Sequence, residues 1–446
     1  MRLTRLHLFV AFAFTVMADP VSSIAYAIEA ALRALDGDLG SLVATMVVVI
    51  GIIVVVSLTY HQLIGRFPEG GGGPQGVAAA FGEGWAFLPL GALLVDFTLT
   101  VAVSCSAGAA ALIAYAPALA AARVAISLGL ASLVAAGVLL GHRGRIGFAL
   151  ATQLFIAVAL VVILAGAFDG ASVPLTEPAH GGGSPALAGT SLAAVVFAFP
   201  LGMALATGVE APSNAIAQLP QLGRRARIRF GRGTLWLMVG IVGSLTMAVA
   251  VLAVHLGVGR PSGDSTLLAD VAKRILGDGA VFGLFQVLSA LLLLAAAASS
   301  YLAGSGVLKA LAAVGTDGDG LLPARLHREN RFLVAHWGVL VVLAIAAAMI
   351  LAARGHEQDL VQFYAVSVFA SFLAATLACA RLTYRDGRRG AMAVNLIGAV
   401  LITCVLGLNL TRLDSAIALL SSVAVALDLW RTWVARGRPR GVASAV

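Results

Sequence analysis

Charged residues are scarce in this chain: they make up 11% of its 446 residues, while 60% are hydrophobic. A protein that folds in water needs more polar surface than this, so the composition excludes soluble enzymes and soluble binding modules. Cysteine is also rare, with three residues that all lie in apolar runs, Cys105, Cys379 and Cys404. An odd number of cysteines in such positions predicts neither a disulfide framework nor a cysteine metal site.

The net charge is +8, yet no motif for binding RNA or DNA accompanies it. The chain does contain long uncharged runs, at residues 41–60, 146–168 and 280–308. A helix needs about 20 apolar residues to cross a bilayer, whereas strands of a membrane barrel show only short alternating segments. The runs therefore predict an all-α membrane protein with about twelve spans and no nucleic-acid partner. The spans begin near Leu8, Ser41, Trp85, Val124, Ile146, Leu192, Thr234, Ala280, Phe332, Leu360, Ala391 and Leu413.

The distribution of basic residues predicts the orientation of these spans. If the N-terminus is inside, most of the 29 lysine and arginine residues fall in inner segments. The exceptions are Arg33, Arg123, Arg260, Lys273, Arg274, Arg354 and Arg412. The positive-inside rule therefore predicts a multi-pass protein of the cell membrane with both termini in the cytoplasm.

Two spans contain residues that interrupt helices. Pro20 directly follows Asp19 in the first span, and the sixth span carries Pro200, Gly208 and Pro212 within one apolar stretch. Proline removes a backbone donor and disfavours helix in the residue before it. One such span is compatible with a kinked helix. Two interrupted spans, five apart, indicate a transporter built from inverted repeats with its binding site at the unwound segments.

The repeats predicted from this pattern are residues 1–170, with spans one to five, and residues 171–388, with spans six to ten. Residues 389–446 then hold two additional spans and a short cytoplasmic tail. No residue-level repeat is visible between the halves, so the pairing depends on the topology and on the two interruptions.

Four acidic residues are placed at membrane depth, where a carboxylate costs about 2.5 to 3.5 kcal/mol on insertion scales. They are Asp19, Glu29, Asp96 and Glu210. Each also has a structural interpretation: Asp19 can cap a half-helix, Asp96 can bond to a neighbouring helix, Glu29 can reach water, and Glu210 can cap the inner half-helix. As functional residues, Asp19 and Asp96 are predicted to face one cavity near the membrane midplane, and Glu29 and Glu210 to serve in coupling or gating.

Hydroxyl groups accompany two of these acids. Tyr26 lies two helical turns after Asp19, with Ser22 and Ser23 between them and able to cap the second half of the span. Thr100 follows Asp96 at helical spacing in a polar stripe. Carboxylates, hydroxyls and free backbone carbonyls are hard oxygen donors, which suit an alkali cation or a proton better than a soft metal.

Five segments carry a resemblance to a known superfamily. They are residues 19–26 (DPVSSIAY), 67–72 (FPEGGG), 94–104 (LVDFTLTVAVS), 207–214 (TGVEAPSN) and 364–369 (YAVSVF). In order along the chain, they resemble the amino acid/polyamine/organocation transporters, and within that superfamily the KUP-type potassium importers. The resemblance implies the LeuT-type fold of two inverted five-span repeats in which the first and sixth helices are broken.

In those importers the corresponding residues of the first, third and tenth spans line the cation path, which implies that role here for Asp19, Tyr26, Asp96 and Tyr364. Protons drive uptake in that group. The chain departs from the group's pattern at Phe97, where a tyrosine is usual, and at Pro74-Gln75, where Ala-Tyr is usual. The cytoplasmic regulatory domain of the group also has no counterpart in this sequence.

The function predicted from these features is a secondary active transporter, not an enzyme, that takes up a small cation such as potassium with protons. No cofactor is expected, because no nucleotide-binding motif is present to supply ATP energy, and the expected partners are the substrate, the lipid bilayer and a second copy of the chain in a homodimer. Asp96 is the predicted proton-sensitive group and Asp19 the direct cation ligand.

The alternative is an amino acid or polyamine permease of the same superfamily. Two features argue against an ordinary amino acid as the substrate. The first interruption contains no glycine, and Asp19 would repel the substrate's carboxylate. An amine could still pair with Asp19, so cationic amino acids and polyamines stay open. An ion channel or a membrane enzyme is disfavoured, since neither a selectivity-filter signature nor a catalytic constellation is visible.

Overall fold

A computed structural model describes the backbone of residues 2–168, 191–219, 221–261, 264–313 and 320–445. Within these ranges, the side chains of residues 2–4, 142–146, 148, 218, 364–365 and 444–445 are not described. Every regular element of the described residues is a helix, which confirms the predicted all-α class.

The first part of the chain folds into eight α-helices. They are α1 (Arg2–Val16), α2 (Ala18–Ser22), α3 (Ile24–Ala34), α4 (Leu39–Arg66), α5 (Gly72–Phe81), α6 (Phe87–Tyr115), α7 (Arg123–Leu139) and α8 (His142–Phe168). Helices α1 to α3 follow one another in the predicted first span, and α5 is a short helix between the second and third spans.

Ten further helices follow. They are α9 (Leu192–Gly202), α10 (Ala211–Ala215), α11 (Arg224–His255), α12 (Leu267–Leu276), α13 (Ala280–Ala313), α14 (His336–Ala352), α15 (Glu357–Arg385), α16 (Arg389–Asn409), α17 (Leu413–Ala435) and α18 (Val442–Ala445). Below, the side of the membrane on which α1 begins is called the inner side, and α12 lies on the outer side.

Ten spans in the described part of the chain are long and apolar enough to cross a membrane. The other two predicted spans are shorter helices: the first span is divided into α1, α2 and α3, and α14 has 17 residues. A helix of that length reaches about 26 Å, close to the thickness of the hydrocarbon core. The predicted membrane protein of about twelve spans is therefore consistent with the helices observed.

Helices α6, α13 and α15 are largely enclosed by other helices, whereas α16 and α17 expose most of their surface. Helix α6 packs against both α13 and α15, and α13 also packs against α2. The uniformly apolar sequence of the central helices fits this position, because a helix that is apolar all round is stable only when lipid or other helices surround it. The first and the third span therefore both pack against α13 inside the bundle.

The first span is interrupted less than the sequence predicts. Asp19 and Pro20 both lie inside α2, and the interruptions fall at Met17 and Ser23 instead. Proline is tolerated there because its missing N–H lies in the first turn of α2, where backbone donors have no partner within the helix. Val21 N still donates to Met17 O at 3.0 Å. The prediction that the chain unwinds at Asp19-Pro20 is therefore wrong.

Candidate functional site

The sixth span is unwound between α9 and α10. Residues Met203–Ala206 form a 3₁₀ turn, Thr207 is extended, and Gly208 has φ = +77°. This left-handed conformation suits glycine because a Cβ atom would crowd the backbone. The sequence prediction of an interruption in this span is confirmed.

The unwound segment of span six lies against the first span at Asp19. A Cβ atom added to Gly208 would lie 2.7 Å from Pro20 Cδ and 3.1 Å from Asp19 Oδ2. No side chain fits between them, so the absence of one at Gly208 permits the close approach. The two interrupted spans therefore meet at the Asp19 carboxylate, as expected for a site formed by discontinuous helices.

A cavity of about 350 Å³ ends at this meeting point. Asp19 and Glu210 are the charged residues that line it, together with polar groups such as Asn214, Ser299 and Ser300. The remaining lining residues are Thr15, Val16, Gly71, Pro74, Leu93, Phe97, Gly208, Ala211, Ala215, Leu302, Ala303, Gly306 and Val307. They belong to the central and inner parts of their helices, so the cavity approaches Asp19 from the inner side.

Two carboxylate oxygens of this site are buried without a hydrogen-bond partner among the described residues: Asp19 Oδ1 and Glu210 Oε2. Asp19 is not a helix cap, because it lies inside α2, whose N-cap position is Met17, and no side-chain capping hydrogen bond is made there. Buried acceptors normally have a partner, since leaving one without costs about 1 to 3 kcal/mol. These oxygens are thus available for a proton, a water molecule or a cation.

Asp96, which the sequence analysis predicts to share one cavity with Asp19, is not among the residues that line this cavity. Leu93 and Phe97 of α6 line it instead, because their four-residue spacing puts them on one stripe, while Asp96 lies on the neighbouring stripe. Asp96 is buried, and its Oδ1 has no hydrogen-bond partner among the described residues. Its charge nevertheless interacts with those of Glu210 and Asp19.

The predicted hydroxyl ligands are buried beside these acids. Ser22 Oγ donates to Asp19 O at 2.7 Å, and Ser23 Oγ donates to Pro20 O at 2.6 Å. The two serines thus bond to carbonyls of the preceding turn and do not cap α3, contrary to prediction. Thr100 Oγ1 donates in the same way to Asp96 O at 2.9 Å, and Tyr26 is fully buried on α3. Hydroxyl oxygens as a class can accept a hydrogen bond or contact a cation.

Glu29 and Tyr364 are the remaining predicted site residues. Glu29 is fully buried at the outer end of the first span, where it pairs with Arg33, so the alternative that it reaches water is excluded. Tyr364 lies on α15, but its side chain is outside the described residues. The structure therefore brings together Asp19, Glu210 and their neighbouring hydroxyls, and it separates Glu29 from them.

Tyr60 of α4 is a polar residue near the site that the sequence analysis did not identify. Its side chain is fully buried, its ring packs edge-on against Phe372 at 5.7 Å, and its hydroxyl interacts electrostatically with Glu210 and Asp96. The Tyr60 hydroxyl lies 3.6 Å from the position of a Cβ atom on Gly73. No signal in the sequence distinguishes it, because an aromatic residue in an apolar span is usually a packing residue.

The chemistry of the site is that of oxygen donors with negative charge. No group of three or more histidine, cysteine, aspartate or glutamate side chains that could hold a metal ion occurs within the part of the chain that the structure describes. Carboxylates and hydroxyls without a nitrogen or sulfur donor suit a hard monovalent cation, a protonated amine or a proton. The arrangement can thus bind a small cation at the end of a path from one side of the membrane.

Comparison with known proteins gives the family of this membrane protein. The model of the amino acid permease family matches residues 6–428, so the chain belongs to that family. The chain is also similar to the potassium transporter KimA of Bacillus subtilis (strain 168), with 29% identity over 403 residues. The matched region covers 87% of this chain and 64% of KimA, so the chain spans less than two thirds of that relative's length.

Proposed function

We propose that this permease takes up potassium or a similar small cation together with protons, across the cell membrane and with both chain termini in the cytoplasm. The observation that carries the proposal is the charge of the cavity: Asp19 and Glu210 line it, and none of its described lining residues is basic. Two acids without a basic partner are stable at membrane depth only where they share a cation, a proton or water.

The carboxylate of Asp19 is the proposed direct ligand of the cation. It lies at the junction of the two interrupted spans, where Gly208 leaves space for the oxygen to approach the backbone. The similarity to a potassium transporter supports this substrate. The proposed cation enters from the outer side and leaves through the cavity that opens toward the inner side.

A second candidate substrate is a cationic amino acid or a polyamine, and the match to the amino acid permease family favours it. An ammonium group could pair with Asp19 or Glu210 in the same way as potassium. The volume of about 350 Å³ is at the lower end of the range for small-molecule sites. The size of the cavity therefore does not distinguish potassium from a cationic amino acid or a polyamine. A measurement of transport is needed to distinguish them.

Proton coupling is proposed through the interacting acids. Asp96 lies outside the cavity but interacts with the charges of Glu210 and Asp19, so binding a cation at Asp19 changes the energy of a proton on Asp96. Such groups titrate as a coupled set, not as independent sites. We assign the driving proton to this set and the cation to Asp19.

Uptake by the purified protein in proteoliposomes tests the proposal. Potassium, rubidium, lysine, arginine and putrescine are compared at the same inward proton gradient, and empty liposomes give the background. We expect uptake of potassium and rubidium that rises with the proton gradient and stops when a protonophore is added. Uptake that follows a sodium gradient at constant pH would contradict proton coupling, and uptake of the amines alone would assign the second candidate.

A further inference from the structure

A second group of charged residues lies at the outer end of the bundle, away from the cavity. Glu29 on α3 accepts a hydrogen bond from Arg33 Nε at 2.8 Å through one carboxylate oxygen. Its other oxygen accepts a hydrogen bond from the backbone N–H of Leu267 at 2.8 Å. Leu267 is the first residue of α12, so Glu29 ties the first span to the N-terminus of an outer helix. A carboxylate is favourable there because the helix dipole is positive at that end.

The segment before α12 is held by a buried arginine. Arg123, at the start of α7, pairs with Asp264 through Nη2 and Oδ1 at 2.6 Å, and with Glu357 through Nη1 and Oε2 at 3.6 Å. Arg123 is 6% exposed. It thus joins α7, the segment before α12 and the start of α15. Glu29, Arg33, Arg123, Asp264, Leu267 and Glu357 are called the outer lock below.

The outer lock covers the path from the outer side to the site. Tyr26 and Ala27, which lie between Asp19 and Glu29 on the first span, are fully buried, and Leu267 is 1% exposed. Gln358, beside Glu357, donates to Tyr26 O at 3.4 Å and closes the same region from α15. Because α12 packs directly on α3, an outward path requires the two helices to separate. That separation breaks the hydrogen bond between Glu29 and Leu267 N.

The charges around Glu29 explain how protonation would act on this contact. Charged groups that face it are Arg33 on its own helix, Asp270 on α12, Glu357 on α15 and, through Glu357, Arg123 on α7. The outer ends of α4 and α11, which also pack against α3, carry Asp38 and His255, and Arg260 lies beside Gly37 just beyond α3. Burial raises the pKa of Asp270, while its hydrogen bond from Ser265 and its charge interaction with Lys273 act in the opposite direction.

Two effects of protonating Glu29 oppose each other. The loss of its charge weakens the contacts to Leu267 N and Arg33, which are at hydrogen-bond distance, and charge-assisted bonds are about twice as strong as neutral ones. It also removes repulsion from Asp270 and Glu357, neither of which contacts Glu29 at that distance. The close contacts dominate, because electrostatic energy falls with separation. Protonation therefore weakens the attachment of α12.

We propose that Glu29 is a proton-operated latch of the outer gate, which holds α12 closed as a carboxylate and releases it when a proton arrives from the outer side. The inference rests on the proposed proton-coupled function and adds a place where the driving proton acts. It also separates two roles: Glu29 senses the outer proton, while Asp19 holds the cation deeper in the bundle.

A cysteine reporter at Ala27 tests the latch. Cys105, Cys379 and Cys404 are replaced by alanine, and Ala27→Cys is labelled from the outer side with a membrane-impermeant thiol reagent. We expect labelling to accelerate when the outer solution is acidified. Asp278→Cys, on the exposed loop after α12, is the control for reagent access and for pH effects on the reagent itself.

Glu29→Gln then imitates the protonated latch, since glutamine keeps the shape and loses the charge. We expect Ala27→Cys to label roughly tenfold faster at neutral pH in this variant, which corresponds to about 1.4 kcal/mol, and to lose its dependence on pH. Glu29→Asp keeps the charge and should retain a pH dependence. Glu83→Gln, which changes an acid of the inner side, should behave like the parent protein.

Slow, pH-independent labelling in the parent protein would overturn the proposal, as would labelling of Glu29→Gln at the parental rate. If Glu29→Gln fails to fold, Arg33→Gln provides the second variant, because it removes the positive charge that stabilises the Glu29 carboxylate and should therefore accelerate labelling. Labelling does not require that potassium be the substrate. The expected labelling without potassium uptake would therefore support the latch and contradict only the proposed substrate.

Discussion

Replacing Gly208 by alanine should disrupt the junction of the two interrupted spans. The added Cβ atom would lie 2.7 Å from Pro20 Cδ, well inside normal contact distance, and 3.1 Å from Asp19 Oδ2. The Cδ atom of Pro20 belongs to the proline ring and cannot move away by a change of rotamer. Helix α2 and the unwound segment must therefore separate. We expect the Asp19 carboxylate to be displaced from the end of the cavity.

The magnitude follows from two costs. Holding an L-residue in the left-handed conformation costs about 1 to 2 kcal/mol, and forcing an extra carbon into a packed site costs about 1 to 3 kcal/mol. Together they give about 2 to 5 kcal/mol if the backbone stays in place. Since about 1.4 kcal/mol corresponds to a tenfold change in an equilibrium, cation binding in the original geometry should fall by more than tenfold.

Thermal unfolding of the purified protein and initial rates of rubidium uptake measure the two consequences. The matched control is Gly240→Ala on α11, where the added Cβ position has no atom within 4 Å apart from its sequence neighbours and the adjacent backbone of its own helix. That substitution should be neutral or stabilise by about 0.5 to 1 kcal/mol, because alanine favours helix. If Gly208→Ala unfolds and transports like the Gly240→Ala control, the close approach of the two spans is not a feature of the working protein.

The remaining predictions concern individual side chains of the site. Asp19→Asn should abolish uptake while the protein stays folded, because the amide keeps the shape and removes the charge that holds the cation; the checks are uptake and elution as a single species in size-exclusion chromatography. Asp96→Asn should abolish proton-driven uptake yet leave rubidium binding measurable, since Asp96 lies outside the cavity; unchanged uptake would remove Asp96 from the coupled set. Tyr60→Phe should lower uptake several-fold with little change in thermal stability, because the ring and its packing against Phe372 are kept; full activity would make Tyr60 a packing residue. Asp428→Asn, an exposed acid on α17, is the control for all three variants.

The sequence predicts the sixth span's interruption more accurately than the first span's. Span six combines two prolines with a glycine, so several local preferences act against helix in one place. Span one has only Pro20, and the effect of a proline on a helix depends on the helical turn in which it lies. Because the structure places Pro20 near the start of α2, its missing N–H interrupts little, and the hydroxyls of Ser22 and Ser23 bond to the preceding carbonyls.

The roles of the acids could be predicted only in part, because their partners lie far away in the sequence. The cost of burying a carboxylate marks Asp19, Glu29, Asp96 and Glu210 as unusual, and this holds whatever surrounds them. Their partners are far away in the chain: Asp19 meets Gly208, and Glu29 meets Leu267. No periodicity in a single sequence reports such distances.

The sequence by itself determined that this protein lies in a membrane, that its elements are helices, and which residues are costly to bury there. These properties depend on hydropathy and on local backbone preference, which each segment carries independently of the rest. The tertiary structure decided which acids share a cavity, because this depends on the rotation of each helix about its axis. A rotation of one residue position turns a side chain by about 100°, and only packing against the other helices sets it. For that reason Asp19 and Glu210 line the cavity, whereas Asp96 and Glu29 do not.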